Sequence, residues 1–175
     1  MLISIIIPFQ NSQKYFKKCL KSAVNQTLAN SFYEVLAIND QSNDQSPKIV
    51  KKIFYKKKNC KLYNIKKKSI GAGLARNFGL KKSKGKYIYF LDSDDFLKRE
   101  ALSKLKSVID KNNNVDLVCN NYRIINKKKN MNIKKKSRFD LDLLKKNKER
   151  IIKSFFDLSI IPQVISNLIK KELII

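Results

Sequence analysis

The chain contains no histidine, and this absence excludes several kinds of catalytic site at once. Triads with a histidine base need an imidazole, and so do His-based metal sites. Cysteine is scarce as well: Cys19, Cys60 and Cys119 are far apart in sequence and odd in number. They predict neither a zinc site nor a disulfide framework. Any bound metal would therefore have oxygen ligands, which favours Mg²⁺ or Mn²⁺.

Long hydrophobic runs are also missing. No apolar run approaches the roughly 20 residues that a helix needs to cross a bilayer. Residues 1–8 are mostly apolar, but they lack a basic region and form too short a run for a signal peptide. We therefore expect a cytoplasmic protein and leave open a peripheral contact with the inner face of the membrane.

Acidic residues are few, with 14 Asp and Glu against 39 Lys and Arg, and the formal net charge is +25. Such a surplus suits anionic partners: nucleic acid, an anionic membrane or a phosphorylated substrate. The alternative is a compositional origin, because Lys, Asn and Ile are abundant together and AT-rich coding DNA favours all three. The charge alone identifies no partner. Since 43% of the 175 residues are hydrophobic, the chain can still bury one core.

Short apolar runs alternate with amphipathic ones, which predicts an α/β fold with a mostly parallel sheet between helices. Strands are expected at 3–7 (ending at Pro8), 35–38, 61–65, 86–91 and 115–119. Helices are expected at 12–25, from 44–47 onward, at 74–82 and at 99–111. Beyond residue 120 we expect an exposed loop or hairpin at 127–136 and a helix at 141–156. The apolar end at 173–175 favours a chain that lacks its C-terminal part.

Three polar clusters follow predicted strands, at 9–11, 39–44 and 92–95. In an open parallel sheet, ligands bind beyond the carboxyl ends of the strands, and the crossover connections bring those ends to one edge. The sequence therefore predicts a single ligand site at this edge.

The third cluster holds three carboxylates, Asp92, Asp94 and Asp95, directly after an apolar strand. Their mutual repulsion must be offset. A divalent cation that bridges Asp92 and Asp94 to a diphosphate would do so, and it would stabilise a departing nucleotide diphosphate. The structural alternative is that Asp94 or Asp95 caps the helix that follows.

Two further residues are candidates for ligand binding. Asp40 follows a strand and is suited to accept hydrogen bonds from a nucleobase or ribose, but it also suits an Asx turn. Arg76 follows Gly71 and Gly73 at a helix start and is suited to contact a base or phosphate, or to pair with a carboxylate. The Gly-x-Gly also imitates a dinucleotide fingerprint, but Arg76 occupies the place of its third glycine.

Four segments, in order, resemble glycosyltransferase family 2, whose members have the GT-A fold. They are Ser4-Ile-Ile-Ile-Pro-Phe-Gln-Asn11, residues 34–46, residues 71–79 around Ala75-Arg76-Asn77, and Gly85 to Asp95 with the Asp-x-Asp motif. The resemblance covers roughly residues 2–120 and implies a GT-A, Rossmann-like fold. It predicts a nucleotide-sugar-binding core at 1–120 and the start of an acceptor-side portion at 121–175.

The resemblance also implies residue roles. Asp40 would contact the donor base, usually uracil, and Arg76 would help to hold the nucleotide. Asp92 would lie on the ribose side, and Asp94 would coordinate Mn²⁺ or Mg²⁺ on the diphosphate, with Asp92 as a second ligand. Substrate contacts are further expected from Pro8, Asn11 and Ser93. Two departures from the family pattern are Asn39, where members often have Asp, and Gln41, where they often have Gly.

The implied reaction transfers a sugar from a nucleotide donor, usually UDP, to an acceptor hydroxyl with inversion. The expected partners are that donor and a glycan or lipid-linked acceptor, in surface glycan or glycolipid synthesis, with no nucleic acid. The general base is expected beyond Ile175, with Asp140, Asp142 and Asp157 left open. One alternative is a donor-binding domain without turnover. The others are a basic module for nucleic acid or membranes and, because a strand precedes Asp-x-Asp, an aspartyl phosphatase.

Overall fold

A computed structural model describes residues 1–66, 71–112, 115–119, 122–126, 131–135 and 167–174. The strands are β1 (Ile3–Phe9), β2 (Tyr33–Asn39), β3 (Cys60–Asn64), β4 (Tyr87–Phe90), β5 (Leu117–Cys119), β6 (Tyr122–Asn126), β7 (Met131–Lys135) and β8 (Asn167–Lys170). The helices are α1 (Gln13–Val24), α2 (Ser46–Phe54), α3 (Ala72–Lys82) and α4 (Ala101–Lys111), with a 3₁₀ turn at Lys171–Leu173. None of the helices in these ranges is long and apolar enough to span a bilayer.

The main sheet has six strands in the order β3-β2-β1-β4-β8-β5. The first four are parallel, and β8 runs antiparallel to both β4 and β5. The strand order reverses between β1 and β4, and ligands of doubly wound folds bind at such a switch point, beyond the carboxyl ends of the strands. This architecture confirms the predicted α/β class with a mostly parallel sheet.

Two apolar clusters cover the two faces of the sheet. Ile3, Ile5 and Ile7 of β1 belong to the cluster that includes side chains of α1, α2 and α4. Ile6 belongs to the other cluster, which includes side chains of α3 such as Ala75. Successive side chains of a strand point to opposite faces, so a strand buried on both sides is apolar throughout.

The prediction that Pro8 ends the first strand is wrong, because β1 continues to Phe9. Phe9 O accepts a hydrogen bond from Asp40 N on the β2 side, and Ile6 O accepts one from Leu91 N on the β4 side. Successive residues of a strand direct their backbone N–H and C=O groups alternately to the two neighbouring strands. The N–H that Pro8 lacks would therefore point toward β4. The β1–β4 ladder ends at Ile6, and the proline therefore removes no ladder hydrogen bond.

The other predicted elements differ from the structure mainly at their ends. The fifth strand is shorter than 115–119, and the fourth helix begins at Ala101 rather than near residue 99. Of the segment 127–136, predicted as an exposed loop or hairpin, residues 131–135 form β7, which pairs antiparallel with β6. Residues 127–130 and 136 lie outside the described residues. The predicted helix at 141–156 lies outside the described residues. β8 joins the main sheet from the portion predicted as the acceptor side, and the division at residue 120 stays a prediction.

A buried polar network closes the end of the sheet opposite the switch point. Ser4 Oγ and Lys84 N both donate to Glu34 Oε1 at 2.6 Å, and Gly85 N donates to Ser4 Oγ at 2.8 Å. Glu34 is 3% exposed, and a buried carboxylate is tolerated only with such partners. A Cβ at Gly85 would lie 2.5 Å from Ser4 N, so only glycine allows this approach.

We predict that Gly85→Ala lowers the free energy of unfolding by about 1–3 kcal/mol, since the added methyl group displaces the backbone of β1. Urea denaturation followed by circular dichroism measures this change. Gly73→Ala is the control, because nothing lies within 4 Å of a Cβ there. In the first turn of α3 it should raise stability, by up to about 1 kcal/mol. Equal effects of the two substitutions would contradict the role of close approach.

Candidate donor-binding site

The carboxyl ends of β1, β2 and β4 open into a cleft of about 470 Å³. All seven residues predicted to bind substrate or metal line it: Pro8, Asn11, Asp40, Arg76, Asp92, Ser93 and Asp94. The parallel strands explain this convergence, because each residue lies near or just after the carboxyl end of a strand, or in the first turns of a helix, at the same edge of the sheet. Their placement in one cleft is a structural fact, and their roles remain predictions.

The loops after β1 and β2 are joined by hydrogen bonds. Asn11 N donates to Ser42 Oγ at 3.1 Å, and Asn43 N donates to Asn11 Oδ1 at 2.9 Å. Gln13 N donates to Asp44 Oδ2 at 3.0 Å. Asn11 therefore fixes the cleft wall as well as lining it.

Gln41 has a φ of 58°, in the left-handed region where a side chain is disfavoured and glycine is not. This conformation explains why a glycine is common at this place in the family that the sequence resembles. The strain costs of the order of 1 kcal/mol. The substitution thus affects the turn beside Asp40 without removing any group from the cleft.

Asp40 is 3% exposed, and its Oδ2 accepts a hydrogen bond from Gly71 N at 2.6 Å. Gly71 has a φ of 144°, a conformation that residues with a Cβ rarely adopt. The glycine thereby aims its N–H at Asp40 where α3 begins. Asp40 Oδ1 is buried and has no hydrogen-bond partner within the described part of the chain.

Arg76 and Asp92 form an ion pair across the cleft floor, with 2.8 Å between Nη2 and Oδ1. The two side chains are 24% and 29% exposed, so the pair is partly screened by solvent. Arg76 Nε is buried and, like Asp40 Oδ1, has no partner among the described residues. A buried donor or acceptor without a partner is costly, so both atoms are suited to a bound ligand.

Residues 92–100, which follow β4, contain no helix or strand and are called here the acid loop. Side chains of α1 and of the residues just before and after it hold this loop in place. Ser12 Oγ lies 2.8 Å from Ser93 Oγ, and Cys19 Sγ donates to Asp92 O at 3.3 Å. Leu97 N donates to Ser22 Oγ at 3.0 Å. The carboxylates are thus positioned by α1 rather than by regular structure of their own.

Gln26 completes this attachment and caps α4. Its Nε2 donates to Lys98 O at 2.9 Å, and its Oε1 accepts from Leu102 N at 3.0 Å, in the first turn of the helix. The expectation that Asp94 or Asp95 caps the helix is therefore wrong, because α4 begins only at Ala101 and Gln26 satisfies its N-terminus.

Asp94 is exposed, lines the cleft and has no hydrogen-bond or ion-pair partner among the described residues. Within those residues, no group of three Cys, Asp or Glu side chains is arranged to hold a metal ion. Mg²⁺ and Mn²⁺ often bind through one or two carboxylates plus substrate phosphates. Asp94, and Asp92 beside it, are carboxylates of the kind that such a site uses, and both line the cleft.

The acid loop concentrates negative charge. Partial desolvation and the charges of Asp94 and Asp92 raise the pKa of Asp95. Burial raises the pKa of the Cys19 thiol, and the same three carboxylates add to the effect, so this thiol stays protonated and donates to Asp92 O. A cation or a cationic side chain beside the loop would relieve this repulsion.

The sequence analysis missed several residues of the cleft. Lys14, Tyr15 and Ser12 line it from the start of α1. Their position directly after the first strand end was an available signal, because a helix that follows a strand end begins at the ligand edge. Gln26 offered no signal, since it caps a helix 76 positions later in the chain.

The sheet, its switch point and the acid loop define an α/β fold of the GT-A type. The family model described as glycosyl transferase family 2 matches residues 4–171, and the chain belongs to this family. The family resemblance noted from the sequence is thereby confirmed, and the aspartyl-phosphatase alternative loses its support.

Two curated relatives illustrate the similarity. Poly(ribitol-phosphate) beta-glucosyltransferase of Bacillus spizizenii is 37% identical over 126 residues, which make up 72% of this chain and 20% of the relative. Poly(ribitol-phosphate) beta-N-acetylglucosaminyltransferase TarP of Staphylococcus aureus is 37% identical over 124 residues, 70% of this chain and 37% of the relative. The chain thus spans about a fifth of the first and less than two fifths of the second.

Solved structures show the same fold. TarS 1-349 of S. aureus is 34% identical with a TM-score of 0.63, covering 68% of this chain and 35% of TarS 1-349. It has also been solved with UDP and with UDP-GlcNAc. Mannosyltransferase PcManGT of Pyrobaculum calidifontis, solved with GDP-Man and Mn²⁺, is 20% identical with a TM-score of 0.59, covering 67% of this chain and 34% of PcManGT. At that identity the second match shows the fold alone.

We predict that Gln26→Ala lowers the free energy of unfolding by about 1–2 kcal/mol, because it leaves Leu102 N and Lys98 O without their partner. It should also weaken metal-dependent nucleotide binding, because the acid loop loses an attachment. Urea denaturation and calorimetry measure the two effects. Gln45→Ala is the matched control, since Gln45 lies at the N-cap of α2 and makes no side-chain capping hydrogen bond. A loss as large in the control would contradict the capping role.

Proposed function

We propose that this chain forms the donor-binding part of a glycosyltransferase that transfers a sugar from a UDP-sugar to an acceptor hydroxyl. The observation that carries the proposal is the pair of buried, unpartnered polar atoms in the cleft residues, Asp40 Oδ1 and Arg76 Nε. One is an acceptor and the other a donor. A ligand with complementary polar groups would satisfy both.

Uracil has the required pattern, because its N3–H lies between two carbonyl oxygens. Asp40 Oδ1 would accept the N3–H, and Arg76 Nε would donate to a carbonyl oxygen. Cytosine presents an acceptor at N3 and would oppose Asp40. The complexes of TarS with UDP and UDP-GlcNAc support the same choice of base.

The diphosphate would lie toward the acid loop, where Asp94 and Asp92 would hold Mn²⁺ or Mg²⁺ against it. When bound, the metal stabilises the negative charge of the departing nucleoside diphosphate. Arg76 keeps Asp92 in place through their ion pair. The hydroxyls of Ser12 and Ser93 fix the distance between the β1 loop and the acid loop.

The proposed chemistry is a single displacement. A carboxylate base removes the proton of the acceptor hydroxyl, whose oxygen attacks the anomeric carbon while the bond from that carbon to the diphosphate oxygen breaks. Attack from the opposite side inverts the configuration. None of the proposed site residues serves as the base. The names of the relatives favour a polyol-phosphate chain of the teichoic acid type as acceptor, which narrows the glycan predicted from the sequence.

Calorimetric titration with UDP, with and without Mn²⁺, tests the proposal. We expect UDP affinity to depend on the metal and Asp94→Ala to lower it at least tenfold, since a carboxylate ligand is lost. Asp110→Ala is the matched control, because its carboxylate lies on α4 and pairs with Lys106. Metal-dependent affinity that survives Asp94→Ala would disprove the metal assignment.

Base recognition has a separate test. Asp40→Asn should lower UDP affinity by about tenfold or more, since a charged acceptor for the N3–H is lost. It should lower CDP affinity less, because an amide can donate to cytosine N3. Titrating the unaltered chain and the Asp40→Asn variant with UDP and with CDP gives the ratio of the two affinities in each protein. An unchanged preference for UDP over CDP would show that Asp40 does not face the base.

A further inference from the structure

The lysines of α1 form one continuous exposed row. Lys14, Lys17, Lys18 and Lys21 are all exposed, while Phe16, Cys19 and Leu20 of the same helix are buried. Spacings of three and four residues place the four lysines on one face over two turns, about 10 Å long. The name α1 lysine row is used below for these four residues.

Within the described part of the chain, no ion pair balances this row. α1 and the neighbouring α2 contain no acidic residue, and α2 adds the exposed Lys48, Lys51 and Lys52. None of the four α1 lysines forms an ion pair within the described residues. By contrast, Lys106 on α4 pairs with Asp110. The positive charge of α1 is therefore available to a partner.

The row leads into the donor cleft. Lys14 lines the cleft itself, and the ammonium group of Lys18 lies 3.4 Å from the ring centroid of Phe96, which follows Asp95 in the acid loop. The N-terminus of α1 also faces this edge and carries the positive end of the helix dipole. The row thus starts at the opening of the donor cleft.

We propose that the α1 lysine row guides an anionic, phosphodiester-linked acceptor chain into the cleft. The inference rests on the proposed function, because it assumes that the cleft holds the donor. The acid loop would repel an anionic acceptor, and a row of lysines beside it offsets that repulsion. A narrow row with one end at a cleft suits a flexible chain.

Exposed aromatic rings strengthen the assignment. Tyr15 is 50% exposed and lines the cleft beside Lys14, and Phe96 is 41% exposed beneath Lys18. Each ring lies next to a lysine, so the row offers both an apolar surface for a carbon backbone and a cation for a phosphate. A polyol phosphate alternates these two chemical groups along its length.

The test compares two double variants that each remove two positive charges. Lys17→Gln with Lys21→Gln changes the row outside the cleft, and Lys81→Gln with Lys82→Gln changes α3 on the opposite face of the sheet. The probe is a short, fluorescently labelled ribitol-phosphate oligomer, and its affinity is measured by anisotropy over a range of salt concentrations. UDP binding is measured by calorimetry in the same proteins.

We expect the α1 double variant to bind the oligomer roughly tenfold more weakly and with a shallower salt dependence, because fewer counterions are released on binding. The α3 double variant should bind the oligomer with the same affinity as the unaltered chain. UDP affinity should be the same in all three proteins. Equal losses in both double variants would show non-specific attraction and overturn the proposal.

Two further outcomes also contradict the inference. One is that the oligomer does not bind to the unaltered chain. The other is that anionic phospholipid vesicles or duplex DNA bind more strongly than the oligomer and depend on the same lysines. Failure of UDP to bind would instead count against the proposed function. The two proposals therefore fail in different measurements.

Discussion

The repulsion among three carboxylates at the end of β4 is the constraint on which the arrangement of the cleft depends. A segment with Asp92, Asp94 and Asp95 in four residues cannot be stabilised by its own packing. Arg76 neutralises the first of them, and α1 holds the backbone on either side. Asp94 is left without a partner among the described residues, and it is the carboxylate that we propose as the metal ligand.

The same constraint explains why α1 carries so many roles. Its buried face fills the core, its polar edge holds the acid loop, and the charged residues on its exposed face are all lysines. Acidic side chains on that exposed face would add to the repulsion from the loop. Cys19 suits its place for a related reason, since a neutral buried thiol can donate to Asp92 O without bringing a further charge.

The sequence predicted the parts of this site that topology determines. Asp40 and Asp92 follow parallel strands and Pro8 lies near the carboxyl end of β1, so any fold with that strand order brings them to one edge. It did not predict the contacts between distant segments. Gln26 has no capping signature, because its partner belongs to another part of the chain, and Pro8 was assigned as a strand end by a local rule. The local rule failed because the missing N–H falls where the β1–β4 ladder has already ended.

The two proposed binding devices follow different physical rules. The cleft relies on a few buried groups, Asp40 and Arg76, whose hydrogen bonds need exact partners and are little affected by salt. The α1 lysine row relies on several exposed charges, which attract any nearby polyanion and are screened by salt. Selectivity for the donor is therefore set in the cleft, whereas the row raises the local concentration of an anionic chain. On these two proposals, a basic surface and an acidic loop would serve one reaction. The loop would bind a metal, the lysines would bind the acceptor, and the first turn of α1 lies at the opening that both share.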